Sequence, residues 1–133
     1  MSEDLINWRI EKAQNTYQEG LLLLEADKYE GAVNRFYYAV FHGMRAVLAT
    51  KGYDAPKHSG VISLFNKHFV KPGYFSKQAS KIVTIAFSER SNADYNDYKT
   101  FQKEEVDAIK DKVNTFLEEV KDYLANNGYT LNK

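Results

Sequence analysis

The sequence predicts an all-α protein, an antiparallel up-and-down bundle of four to five helices. Apolar residues recur at three- and four-residue steps in five segments, and no segment alternates at the period of two that is typical of strands. The linkers between these segments are short, which favours antiparallel neighbours. With 133 residues, of which 44% are hydrophobic, the chain can bury its own core. We expect one domain at residues 1–128 and a short tail at 129–133.

The first two helices follow from their apolar faces. The first is predicted from about Glu3 to Ala26, with the Leu21–Leu24 end buried. Residues near helical spacing on its apolar face are Leu5, Trp8, Lys12, Leu21, Leu22 and Leu24. The second is predicted from about Tyr29 to Thr50 and has the widest apolar face, so we expect it at the centre of the bundle. Gly52 follows it as a stop signal.

Three further helices are predicted from caps and periodicity. The third is a single helix over about Lys57–Val70. Ser76 is a plausible cap for the fourth, at about Lys77–Ala93. Thr100 is the expected cap of the fifth, whose apolar repeat covers some five turns before a stop at Gly128.

Charge and composition exclude several classes of function. Eighteen basic residues balance 18 acidic ones, so no global field draws the chain onto nucleic acid and any RNA site must be local. The absence of cysteine excludes thiol catalysis and zinc–thiolate sites. Calcium-loop, zinc-ligand, phosphate-loop and dinucleotide motifs are also missing, so we expect no metal and no cofactor. Without a signal peptide or membrane-length apolar run, a cytoplasmic location is expected.

The predicted second helix carries a polar stripe. Arg35, Tyr38, His42 and Arg45 lie at steps of three and four residues, so they share one face. Two cations, a phenol and an imidazole on one face suit a phosphate or carboxylate site. A solvated or interface-lining face of a buried helix is the alternative.

A second polar group lies where the fourth helix ends. Arg90 can bind phosphate as a fork, and Tyr95 can stack on a base. Asp94 is four residues from Arg90, so an internal ion pair that orders the helix end is the alternative. His58 opens the third helix, where it can act as an acid or base, or bind a backbone group at the helix start.

Three motifs resemble the HEPN domain. They are RFYYAVFH at 35–42, KHSGV at 57–61 and RSNADY at 90–95, in that order along the chain. The branch they resemble most is the small stand-alone prokaryotic proteins named UPF0332. The resemblance implies a helical bundle and a homodimer whose interface forms a cleft. It also implies, as for many such proteins, a minimal nucleotidyltransferase partner in a toxin–antitoxin or defence system.

The resemblance also implies where a catalytic signature should lie. Active HEPN members are metal-independent ribonucleases with an arginine followed, after four to six residues, by a histidine; the imidazole does acid–base work and the arginine steadies the phosphate. Arg90 corresponds to the signature arginine. The positions that should hold the histidine are Tyr95, Asn96 and Asp97. Arg35 and His42 satisfy the bare spacing, but on the second helix and away from the usual location.

The leading functional hypothesis is a dimeric HEPN-type module that binds nucleotide or RNA and works with a nucleotidyltransferase, its ribonuclease motif being degenerate. Its expected binding residues are Arg35, Tyr38, Arg45, Arg90, Asp94 and Tyr95. The alternative is an active metal-independent ribonuclease toxin that uses Arg90 with His42 or His58. A purely structural interaction bundle is the second alternative. Because the signature lacks its histidine, the sequence favours binding over catalysis.

Overall fold

Five α-helices make up most of the chain, and the all-α prediction is confirmed. The computed structural model describes residues 3–129, in which no strand occurs. The helices are α1 (Glu3–Glu25), α2 (Tyr29–Ala49), α3 (His58–Phe65), α4 (Lys77–Tyr95) and α5 (Lys103–Asn126), with a π-helical turn at Asn66–Val70. Within the described range no helix is both long enough and apolar enough to cross a bilayer.

Helix α2 lies at the centre of the bundle, as its wide apolar face predicted. It packs against each of the other four helices. Its fully buried side chains include Phe36, Tyr37 and Met44. Gly43 lies against α5, where a Cβ would come within 3.2 Å of Leu117. This central position means that the partly exposed edge of α2 is the surface on which polar groups from other helices converge.

The apolar face predicted for α1 was wrong except at Leu24, which is buried. The buried side chains of α1 include Ile6, Ile10 and Ala13, whereas Trp8 is 65% exposed and Leu22 67% exposed. Of the Leu21–Leu24 run only the last residue is buried. Four consecutive leucines cover the whole circumference of a helix, but only one side of α1 meets α2. Ile6, Ile10 and Ala13 follow steps of four and three residues, so the buried side is indicated by them and not by the leucines.

The predicted third helix divides into two parts. After α3 the backbone widens into the π-helical turn Asn66–Val70, and the N–H of Lys71 donates to the carbonyl of Asn66, five residues back, at 2.8 Å. Phe65 and Phe69 remain fully buried on either side of the change. Because both rings keep the apolar face continuous, the periodic pattern gave no sign of the wider turn.

The start of α4 matches its prediction, but the start of α5 does not. The Ser76 side chain accepts a hydrogen bond from the N–H of Ala79 at 3.0 Å, which confirms the cap. Thr100 does not cap α5. Gln102 does so instead, through a capping box in which its N–H donates to the Glu105 side chain at 2.8 Å. A reciprocal pair of side chains satisfies two backbone groups, where a lone threonine satisfies one.

The last residue of α4 also differs slightly from its prediction. Helix α4 continues to Tyr95, two residues beyond the predicted end. This keeps Arg90 and Asp94 on the same helix. In the predicted tail, the N–H of Tyr129 donates to the carbonyl of Leu124 at 3.0 Å, and residues 130–133 lie outside the described range.

Candidate functional site

The guanidinium of Arg90 lies among tyrosine rings where α4 packs on α2. Its Cζ is 5.5 Å from the ring centre of Tyr37, 5.4 Å from that of Tyr38 and 5.7 Å from that of Tyr95. One terminal nitrogen donates a hydrogen bond to the Tyr38 hydroxyl at 3.0 Å. A guanidinium this close to aromatic faces is held by cation–π attraction. Only 15% of the Arg90 side chain is exposed, so these contacts fix its orientation.

Asp94 forms the ion pair that the sequence spacing offered as an alternative. Its Oδ2 lies 2.9 Å from Nε of Arg90, but the Nε–H is not directed at it and has no hydrogen-bond acceptor. Asn34 on α2 donates its side-chain amide to both oxygens of the same carboxylate at 3.2 Å. Within residues 3–129 the other terminal nitrogen of Arg90 makes no hydrogen bond. The arginine therefore keeps donor capacity for an incoming anion.

His58 joins this group through Tyr37. Its Nδ1 lies 2.8 Å from the Tyr37 hydroxyl, and its ring stacks on Phe41 at 4.1 Å between centres. Burial, and then the positive charge of Arg90, lower the pKa of His58. Burial raises the pKa of the Tyr37 phenol, which is completely enclosed. Both groups are therefore neutral near pH 7 and form one hydrogen bond, whose donor is the Tyr37 hydroxyl or the His58 Nδ1–H according to the tautomer of the imidazole.

We call the set formed by Tyr37, Tyr38, His58, Arg90, Asp94 and Tyr95 the Arg90 cluster. It draws side chains from α2, α3 and α4. It contains the three residues that the sequence grouped at the end of the fourth helix, together with one of the two candidate histidines. A phosphate oxygen at Arg90 would meet the guanidinium beside the Tyr38 and Tyr95 rings, with the Asp94 carboxylate on the Nε side of the same guanidinium.

The other candidate histidine, His42, lies outside the Arg90 cluster. It faces a groove between α1 and α2 that is also lined by Trp8, Lys12, Glu19, Arg35 and Tyr38, which we call the α1–α2 groove. Burial, followed by the charges of Lys12, Arg45, Arg35 and His58, lowers the pKa of His42 to about 4. The spacing match between Arg35 and His42 therefore belongs to this groove.

Tyr38 connects the groove with the Arg90 cluster. Its hydroxyl accepts the bond from Arg90, and the guanidinium of Arg35 lies 5.2 Å from its ring centre. Arg35 is further held by the side-chain oxygen of Asn34 at 2.8 Å and by Glu19 at 3.4 Å. One tyrosine thus forms a wall common to both sites.

Arg45 is not part of the Arg90 cluster, although the sequence grouped it with the binding residues. It pairs with Asp54 at 2.9 Å. Burial opposes ionisation of Asp54, but hydrogen bonds from Arg45 and from the backbone N–H of Ala55 outweigh it and lower the pKa. The same carboxylate binds Arg9 at 3.3 Å. These contacts fix the segment that leads into α3 and hence the position of His58.

Sequence reasoning missed four residues that build these sites: Arg9, Asn34, Tyr37 and Asp54. Tyr37 lies at core spacing on the second helix, and a tyrosine at core spacing does not reveal where its hydroxyl ends. Arg9 offered one signal, a cation between Ile6 and Ile10 on a face that is in fact buried. It donates to the carbonyl of Arg45 at 3.0 Å, which satisfies that buried charge.

No group of three or more metal-binding side chains is placed to hold an ion in residues 3–129. The fold and the Arg90 cluster define an all-helical domain. In it an arginine on α4 lies among tyrosine rings, two of which come from the central helix α2. A sequence model of the HEPN domain matches residues 6–123. The chain belongs to the HEPN domain family.

Several curated relatives are similar to this chain over most of its length. A protein named "UPF0332 protein" from Thermotoga maritima is 35% identical over 89% of each chain. Two proteins from Methanocaldococcus jannaschii carry the names "Putative toxin MJ0142" and "Putative toxin MJ0605". The first is 34% identical over 86% of this chain and 78% of its own. The second is 36% identical over 84% of this chain and 83% of its own.

Proposed function

We propose that this chain is a toxin-type HEPN module that binds the phosphate of a nucleotide or RNA at the Arg90 cluster. The observation that carries the proposal is the state of Arg90. Its guanidinium is oriented by three rings, yet one terminal nitrogen makes no hydrogen bond within the described part of the chain. An arginine held in this way is suited to a charge-assisted bond with a phosphate oxygen.

Exposed tyrosines at and just after the end of α4, of which Tyr95 lies beside Arg90, support nucleotide as the ligand. Tyr95 is 73% exposed, and Tyr98, in the loop after α4, is 95% exposed. Aromatic rings in solvent next to a cation can stack on bases while the cation holds the phosphate. The toxin role, the homodimer and a minimal nucleotidyltransferase partner are proposed from the membership in the HEPN family and from the printed names of the two archaeal relatives.

Binding of AMP and of a short single-stranded RNA to the Arg90→Ala variant tests the proposal. Loss of a charge-assisted hydrogen bond should weaken both affinities about tenfold or more. Isothermal titration measures the first and fluorescence anisotropy the second. Lys112→Ala is the matched control, since it removes one positive charge from an exposed position on α5. A lower melting temperature with unchanged affinities in Arg90→Ala would instead establish the purely structural bundle.

An active ribonuclease is the second candidate, and the contact between His58 and Tyr37 favours it. A neutral imidazole close to Arg90 could remove a proton during cleavage of the RNA backbone. The test is incubation of mixed RNA with the protein in EDTA. Cleavage that is lost in both Arg90→Ala and His58→Ala, but kept in His42→Ala, would support catalysis. Absence of cleavage with retained RNA binding supports the binding module.

The partner is tested by purification of the tagged chain from its native host. Mass spectrometry of the bound proteins should find a small nucleotidyltransferase. Its absence from purifications in which the bait is intact and abundant would contradict this part of the proposal, without bearing on the RNA site.

A further inference from the structure

The α1–α2 groove has features of a binding site that the Arg90 cluster does not use. Its volume is about 500 Å³. The indole of Trp8 lines it while remaining 65% exposed, which is unusual for a ring of this size in a chain with a well-formed core. Since α1 turns its buried face elsewhere, the core does not explain this position of Trp8.

Besides burial, several cations that lie close to His42 in the groove lower its pKa. Lys12 on α1 and Arg35 and Arg45 on α2 each act on the imidazole, and no carboxylate is among the charges that do. Glu11 and Glu19 also line the groove, and Glu19 pairs with Arg35 through half-exposed side chains. Over the whole lining, Glu11 and Glu19 balance Lys12 and Arg35, so the groove has no net charge, but its cations are the groups that act on His42.

The groove adjoins the Arg90 cluster at Tyr38, whose hydroxyl contacts Arg90 and whose ring contacts Arg35. Along α1 it reaches from Trp8 to Glu19, which is about 16 Å at the usual helical rise. A single nucleotide bound at Arg90 would leave most of this length empty.

We infer that the α1–α2 groove is a second nucleotide subsite, so that the ligand is a single-stranded RNA segment that extends from Arg90 past Tyr38 into the groove. Trp8 stacks on a base, and Lys12 and Arg35 hold a phosphate beside His42. The carboxylates of Glu11 and Glu19 accept from bases that present N–H donors. This inference rests on the proposed function and specifies its ligand class, an oligonucleotide instead of a mononucleotide.

Trp8 is the only tryptophan in the sequence, so its fluorescence reports on the groove directly. Titration with a single-stranded RNA of about six nucleotides should change its emission, whereas AMP should bind at Arg90 and leave the emission unchanged. The titrations use the full chain, with total binding followed in parallel by anisotropy for the RNA and by isothermal titration for AMP.

Two variants separate the groove from the Arg90 cluster. Lys12→Gln should weaken RNA binding and reduce the slope of log K against log salt by about 0.7, the share of one phosphate contact on a single strand. Trp8→Ala should weaken RNA binding by about fivefold or more, the loss of one stacked base. Leu22→Ala is the matched control, because it truncates an equally exposed side chain on α1 that does not line the groove. AMP affinity should stay at the native value in all three.

The outcomes distinguish this inference from the proposed function. RNA binding that depends on Arg90 but is unchanged by Lys12→Gln and Trp8→Ala overturns the inference that the groove is a nucleotide subsite. The proposed function is left intact. Failure of both AMP and RNA to bind overturns both. Trp8 emission that changes with protein concentration, and not with RNA, would assign the groove to contact between copies of the chain and overturn the inference as well.

Discussion

Tyr37 carries a polar group into the centre of the molecule. Its side chain is fully buried, and its hydroxyl meets Nδ1 of His58 at 2.8 Å. We predict that Tyr37→Phe lowers the free energy of unfolding by about 1–3 kcal/mol, because the imidazole nitrogen loses its partner in a buried position. Urea unfolding measures this change. Tyr98→Phe, at a 95% exposed ring, should be close to native. Equal effects of the two substitutions would show that the buried bond contributes nothing specific.

His42 predicts a pH dependence of stability. Its pKa in the folded protein is about 4, against an ordinary value of 6.5. Between these values the unfolded chain binds a proton that the folded chain does not, so stability falls as the pH decreases through this window. Because the ring is partly exposed, we expect the loss to be about 1–2 kcal/mol, less than the full shift implies.

The check on His42 is urea unfolding between neutral pH and pH 4. The groups that face the ring are Lys12 from α1, Arg35 and Arg45 from α2, and His58 from α3. His58 contributes in the same direction, since its pKa is also lowered, so His42→Gln should make the decline shallower without abolishing it. His68→Gln, on the π-helical turn, removes an imidazole elsewhere and is the control. A decline as steep in His42→Gln as in the native protein would refute the prediction.

Single residues were predicted well where the partner lies on the same helix. The pairing of Arg90 with Asp94 follows from a four-residue step and is present at 2.9 Å. The roles of Tyr37 and Arg9 were not predictable, because they depend on partners 21 and 36 residues away in sequence. Periodicity assigns a residue to a face, but it does not say which polar atom that face will meet.

At the scale of the elements, α1 and α2 approach closely at Gly20. A Cβ there would lie 2.6 Å from Cε1 of Phe36, whose ring is fully enclosed in the core. We predict that Gly20→Ala destabilises the protein by about 1–3 kcal/mol, although alanine is the better helix former. Gly31→Ala is the control. Its Cβ would meet only the end of the flexible Leu23 side chain, at 3.3 Å, so the change should be small.

Differential scanning calorimetry of these two variants measures the effect. An unchanged melting temperature for Gly20→Ala would mean that α1 can move away from α2 at little cost. In that case the walls of the α1–α2 groove would not be fixed by helix packing.

The helices themselves were largely predictable because caps and apolar steps are local signals. Ser76 bonds within its own first turn, so its role as a cap can be read from sequence. The π-helical turn at Asn66–Val70 was not predictable, since Phe65 and Phe69 keep the ordinary spacing through it. The cap at Gln102 was not predicted, because threonine is the preferred cap when single residues are considered and the bond with Glu105 involves a second residue.

At the scale of the whole molecule, the exposed aromatic side chains bear on association. Tyr74, Tyr95 and Tyr98 are all more than half exposed, and the formal net charge of zero gives two copies no mutual repulsion. We predict a homodimer, with light scattering at micromolar concentration giving a mass twice that of one chain. The mass of a single chain across a concentration series would contradict the homodimer.

The proximity of His58 to Arg90 is also a property of the whole molecule. His58 is on α3 and Arg90 on α4, and Tyr37 on α2 contacts both. A single sequence carries no information on which of two histidines approaches a distant arginine. The segment fixed by Arg9, Asp54 and Arg45 decides it, since it sets where α3 begins.

The rings around Arg90 also affect the entropy of binding. A free arginine side chain loses about 2 kcal/mol of rotamer freedom when it is immobilised. Here Tyr38 and Asp94 have already restricted the side chain before any ligand arrives, so this loss belongs to folding and not to binding. For the anion proposed at Arg90, few contacts would therefore suffice, because the conformational cost of orienting the guanidinium is met when the protein folds.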